Sequence, residues 1–185
     1  MRDLEPYLSG EKSGKVIGLT FDDGYLNNHQ NALPILRQNG FTATCYVVSN
    51  MPHGNNSWDQ NLGIPQKPLM GPREWRDWTD SGMDIGSHTR HHCDLTQTEP
   101  ETAWQEITDS RRELEALTGC SVRHFCYPYG RYTDEHLQMV KAAGYITGTT
   151  TNYGKFKTGQ SLMAIPRIMI KGSMNLANFL WKITH

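Results

Sequence analysis

The apolar and polar positions of the 185 residues alternate between short β-like runs and longer stretches of helical spacing. Val16–Phe21 (VIGLTF) reads as a buried strand, and Asn28–Gln38 as a helix ended by Asn39-Gly40. Pro34 lies inside that helix and predicts a kink or a late start. Phe41–Val48 (FTATCYVV) is rich in β-branched and aromatic residues and reads as a second strand. Ser49–Met70 is polar, with Pro, Gly and Asn, and predicts a long loop. A loop of that length in a compact domain is more often functional than idle.

Pro72 opens a helix to about Asp80, closed by Gly82, with Trp75 and Trp78 spaced as core. Met83–Ser87 is a short strand. Thr98-Glu-Pro-Glu101 matches a capping box, so a helix is expected from there, with Trp104, Ile107, Leu114 and Leu117 as its apolar face. Arg123–Tyr127 reads as a strand, Thr133–Ala143 as a helix stopped by Gly144, Tyr145–Thr150 and Arg167–Ile170 as strands, and Ser173–Ile183 as a final helix. Repeated β-then-α order predicts an α/β fold with parallel strands and crossover helices. The length suits a single domain over residues 1–185.

Composition then removes several classes of function. A formal charge of −1 argues against sequence-blind attraction to nucleic acid or anionic lipid. No apolar run approaches the ~20 residues needed to span a bilayer. The polar first 15 residues hold no apolar stretch of secretory type, so a cytoplasmic location is expected for the chain as it stands. Loss of a leader would make an extracellular or periplasmic one equally consistent. Cys45, Cys93, Cys120 and Cys126 form no C-x-x-C pair, and free thiols are expected.

In α/β folds of this order the chemistry gathers at the carboxyl ends of the strands. Three suspicious groups sit there: Asp22-Asp23 after one predicted strand, His88 after another and Tyr129 after a third. Asp-Asp-Gly alone reads equally as a turn. Near GSHTRHHCDL, however, one carboxylate can join His88 and either His91 or His92 in a two-His, one-Asp set with open positions. That donor type suits Zn²⁺, Co²⁺, Ni²⁺ or Fe²⁺.

TFDDG, then S-H-T-x-x-H-x-x-L, then F-x-Y-P-Y-G, in that order, resembles the polysaccharide deacetylase family, the NodB-homology or carbohydrate esterase 4 group. The resemblance runs from about Lys15 to the last helix and implies a distorted (β/α) barrel of about seven units. It implies one divalent ion, zinc first, held by Asp23, His88 and His92, with Asp22 as catalytic base and the backbone N–H of Tyr129 facing the oxyanion. The implied reaction is removal of an N-acetyl group from an amino-sugar polymer or oligosaccharide. Tyr25, Trp58, Asp59 and Tyr129 are the candidate walls of a sugar groove.

Three parts of the family pattern are missing. Cys126 stands where many members carry an arginine that orients the base. Arg123, three residues earlier in a strand, points to the opposite face. Arg167 in IPRI is therefore expected to pair with Asp22. The fourth motif, with its Asp and Trp, is not recognisable, and LMAIPRIMIKG lacks the histidine of the fifth. His53 on the long loop is one stand-in for the missing acid. A carbohydrate-binding pseudoenzyme and a de-N-acylase or deformylase acting on a small glycoconjugate are the competing readings.

Overall fold

The computed structural model describes residues 1–184. Its strands are β1 (Leu19–Phe21), β2 (Ala43–Val47), β3 (Asp84–Ser87), β4 (His124–Cys126), β5 (Thr147–Tyr153) and β6 (Ile165–Arg167). Its α-helices are α1 (Glu5–Leu8), α2 (Leu33–Gln38), α3 (Pro72–Asp80), α4 (Pro100–Thr118), α5 (Asp134–Ala142) and α6 (Leu176–Thr184). All six strands run parallel in one sheet, paired in sequence order from β1 to β6. This is the curled sheet of the expected (β/α) barrel, with six strands where about seven units were expected.

Alternation along the strands separates two cores. Cys45, Val47, Ile85 and Phe125 face the helices and pack with Trp75, Trp78, Ile107, Leu114 and Val140. Tyr46 and Cys126 face inward with Ile165 and Met1, against Leu4 and Leu8 of the N-terminal segment. A Cβ on Gly86 would lie 2.9 Å from His124 O and would enter the Tyr46 ring, so glycine there lets Tyr46 fill the barrel interior.

Several sequence expectations are corrected. Val16 and Ile17 are exposed, and β1 begins only at Leu19, because an edge strand with one hydrogen-bonded neighbour buries little. Pro34 is accommodated by a π-helical turn, Asn28–Ala32, which places it in the first turn of α2. No capping box forms at Thr98: Glu99 is the N-cap, Pro100 starts α4, and Thr98 donates to Asp94 O. Trp104 is exposed, while Ala103 and Glu106 join Ile107 and Leu114 on the buried face. The last predicted strand ends at Arg167 instead of Ile170, and Met169 and Ile170 are exposed. All four cysteines are free.

Candidate active site

The site residues stand just past the carboxyl ends of β1, β3 and β4 and at the last residue of β6. Asp22 and Asp23 follow β1, and Asp23 and Gly24 both take left-handed backbone conformations (φ 70° and 75°). Glycine is needed at 24, since a Cβ there would sit 2.9 Å from Val47 Cγ1. This tight turn aims the two adjacent carboxylates in different directions.

Asp23 faces the histidines. Its Oδ1 lies 3.4 Å from His88 Nε2 and 3.3 Å from His92 Nε2. Donors bound at ~2.0–2.1 Å around a tetrahedral ion are themselves ~3.3 Å apart, so the spacing fits one divalent cation. Both imidazoles are buried, at 2% and 5% exposure. His88 Nδ1 donates to Cys126 O at 2.7 Å, which fixes the ring and aims Nε2 at Asp23. His92 is sandwiched: Trp58 stacks on it at 4.3 Å and Tyr129 meets it edge-on at 4.6 Å. Desolvation and the adjacent His88 push His92 below its ordinary pKa, so it is neutral and able to ligate. Desolvation alone would raise Asp23, but its bonds to the two imidazoles outweigh that and keep it ionised.

Asp22 faces the other way. Both of its oxygens accept from Arg167, Nη1 to Oδ1 and Nη2 to Oδ2, each at 2.7 Å. Arg167 also donates to Thr150 O (2.9 Å) and Thr20 Oγ1 (3.1 Å), and Nη2 lies 3.2 Å from Cys126 Sγ. The guanidinium thus occupies the space left by the small thiol at 126. Desolvation pulls the Asp22 pKa up, yet the Arg167 fork prevails and holds it below the usual carboxylate range. Asp22, His88 and Cys126 also converge closely enough to share an ion. A cation there would abut Arg167, so the Asp23, His88, His92 set is the better site.

Tyr129 lies in the turn Pro128–Gly130 with φ 58°, and its ring forms part of the rim. Asp59 accepts from the buried Asn56 at 3.0 Å, and its charge is felt at both Tyr25 and Tyr129. Desolvation first, then Asp23 and Asp59, raise the Tyr25 pKa, so its hydroxyl stays protonated. Trp58 is gathered into the site, but one face of its indole is spent on His92. His53 stands over Gly71, 3.9 Å from Glu74. Its ion-pair partner is thus Glu74 of α3. Of the five described non-glycine residues with positive φ, four (Asp23, Thr89, His92, Tyr129) belong to this site or its loop.

Sequence reasoning missed what holds the histidine loop. Glu106 of α4 accepts from the backbone N–H of Arg90 (2.9 Å) and His91 (3.0 Å) and from His91 Nδ1 (2.6 Å). The available signal was a glutamate on the apolar face of a helix, where a carboxylate must be paired.

The fold is a barrel of the NodB kind, and known proteins place the chain in the same group. The polysaccharide deacetylase family pattern matches residues 9–148, and the chain belongs to that family. It is 28% identical over 167 residues to YxkH of Bacillus subtilis, a polysaccharide deacetylase by name, covering 90% of this chain and 56% of that protein. It is 24% identical over 180 residues to the poly-beta-1,6-N-acetyl-D-glucosamine N-deacetylase of Staphylococcus aureus, covering 90% of this chain and 60% of that one. Among solved structures, the Streptococcus pyogenes deacetylase PplD in complex with acetate superposes with a TM-score of 0.83 at 28% identity. That match covers 98% of this chain and 77% of PplD. The chain thus spans little more than half the length of the two curated relatives.

Proposed function

We propose that this protein is a metal-dependent de-N-acetylase acting on an N-acetylated amino-sugar polysaccharide or oligosaccharide. The observation that carries the reading is the division of labour between adjacent carboxylates: Asp23 with two imidazoles at ligand spacing, Asp22 on a bidentate arginine. Asp23, His88 and His92 would hold the ion, with zinc the first choice for this donor set. When bound, such an ion polarises an amide carbonyl and lowers the pKa of water.

The protein groups do the rest. Asp22 takes a proton from the attacking water as the new C–O bond forms. Arg167 keeps that carboxylate oriented and ionised beforehand. The Tyr129 backbone N–H faces the oxyanion of the tetrahedral intermediate. With no fifth-motif histidine, protonated Asp22 returns its proton to the amine nitrogen as the C–N bond breaks and acetate leaves. Tyr25, Asp59 and the free edges of Trp58 and Tyr129 line the groove for the sugar.

The name of the Staphylococcus aureus relative makes a β-1,6-linked N-acetylglucosamine oligosaccharide the first probe, with a chitooligosaccharide beside it. The zinc-loaded protein is expected to release acetate and free amine, to stop with chelator, and to resume on metal addition. Asp22→Asn should lower turnover at least 100-fold with the metal retained. Sugar binding without acetate release at any metal loading would instead identify a binding pseudoenzyme.

A further inference from the structure

We propose that Glu106 is a positioning residue for the metal site, acting through the backbone between the two histidine ligands. This rests on the metal reading above. His88 and His92 flank a segment in which Thr89 (φ 65°) and His92 (φ 57°) both hold left-handed conformations without being glycine. Such a segment keeps this shape only where its surroundings over-determine it.

The determinant is one carboxylate. Glu106 is 6% exposed, and its Oε2 accepts from two successive N–H groups, Arg90 and His91, while Oε1 takes His91 Nδ1–H. His91 Nε2 in turn accepts from Asn50 Nδ2 at 2.8 Å. Both ring nitrogens of His91 are therefore in use, so the rival ligand of the sequence is part of the clamp instead. Backbone bonds from Ser49 N to Thr89 O and Asn50 N to Arg90 O tie the same segment to the chain after β2. Two turns further along α4, Glu113 receives Ser49 Oγ and the Arg90 guanidinium. Glu106 is the more buried of the two glutamates and the one bonded directly to the backbone that aims His92. Its removal frees two N–H groups and lets the strained segment relax, which moves His92 off the ion.

The test measures metal affinity of the folded protein, apart from turnover. Apoprotein is titrated with Zn²⁺ against a chromophoric chelator, and Co²⁺ loading is followed by its visible absorption. Glu106→Ala should weaken Zn²⁺ binding about 10–100-fold, the range typical of groups that orient ligands. Its Co²⁺ spectrum should change, and saturating metal should restore turnover with KM unchanged. Glu106→Gln, which keeps one carbonyl acceptor, should lose less. If folded Glu106→Ala binds Zn²⁺ within twofold of the unaltered protein, the proposal is overturned. Should both fail to fold, Glu106→Asp, whose shorter side chain draws the carboxylate back from the two N–H groups, carries the test, and unchanged affinity there overturns it equally. An unaltered protein that binds no divalent metal brings down the metal reading and this inference together, whereas tight binding by protein and variant alike brings down only the clamp.

Discussion

Asp22 and Asp23 are adjacent in the chain and chemically alike, yet they face opposite surroundings. Asp23 is held by two imidazoles and Asp22 by a planar, permanently charged fork, which would suit the base proposed above. The sign of the resulting pH dependence follows. With Arg167 present, Asp22 sits below the usual carboxylate range, so its ionised form persists well into acid. In Arg167→Ala the desolvation that already opposes ionisation goes uncompensated. The Asp22 pKa rises, and the acidic limb of the kcat/KM profile moves to higher pH, with a fall in rate at neutral pH. Arg167→Lys should rescue only in part, since an ammonium supplies charge without the fork. A profile and rate unchanged in Arg167→Ala would remove Arg167 from the mechanism.

At the scale of elements, function is concentrated where strands stop. The turn Pro128–Gly130 after β4 presents Tyr129 to the rim, and it depends on Gly130, whose φ is 68°. A Cβ there would lie 2.7 Å from Thr151 N, in a conformation that L side chains rarely adopt. Gly130→Ala should therefore cost roughly 1–3 kcal/mol in denaturant unfolding and displace the Tyr129 N–H. If the turn carries the oxyanion, turnover falls further than substrate affinity. A variant as stable and active as its parent would show that the turn merely connects. Helix α4 illustrates the same economy: one face supplies Ile107 and Leu114 to the core and Glu106 to the histidine loop.

Across the whole molecule, six parallel strands curl but do not close by backbone hydrogen bonds: β1 and β6 are the edges of the described sheet. Arg167 spans that gap, reaching Thr20 and Asp22 from β6, so one side chain both joins the edges and fixes the Asp22 carboxylate. The candidate metal ligands likewise come from separate elements, after β1 and after β3, so an ion bound there would link parts distant in sequence. A cation that binds only the folded state raises stability by about 2.7 kcal/mol at 100 times its dissociation constant. The thermal midpoint should accordingly climb with Zn²⁺ concentration and drop with chelator, and Asp23→Ala should abolish the dependence. A midpoint indifferent to metal would contradict a shared site. The β-then-α alternation, the parallel sheet, the convergence of a carboxylate with the GSHTRHH histidines, and the reach of Arg167 to Asp22 could all be read in the chain. They rest on periodicity, motif order and the alternation of strand side chains, which are local rules. The shortness of β1, the exposure of Trp104, the choice between His91 and His92 as a matter of hydrogen bonding, and the clamp at Glu106 could not. Each of these depends on which surfaces meet and which donors find a buried acceptor, and only the folded arrangement of distant segments decides that.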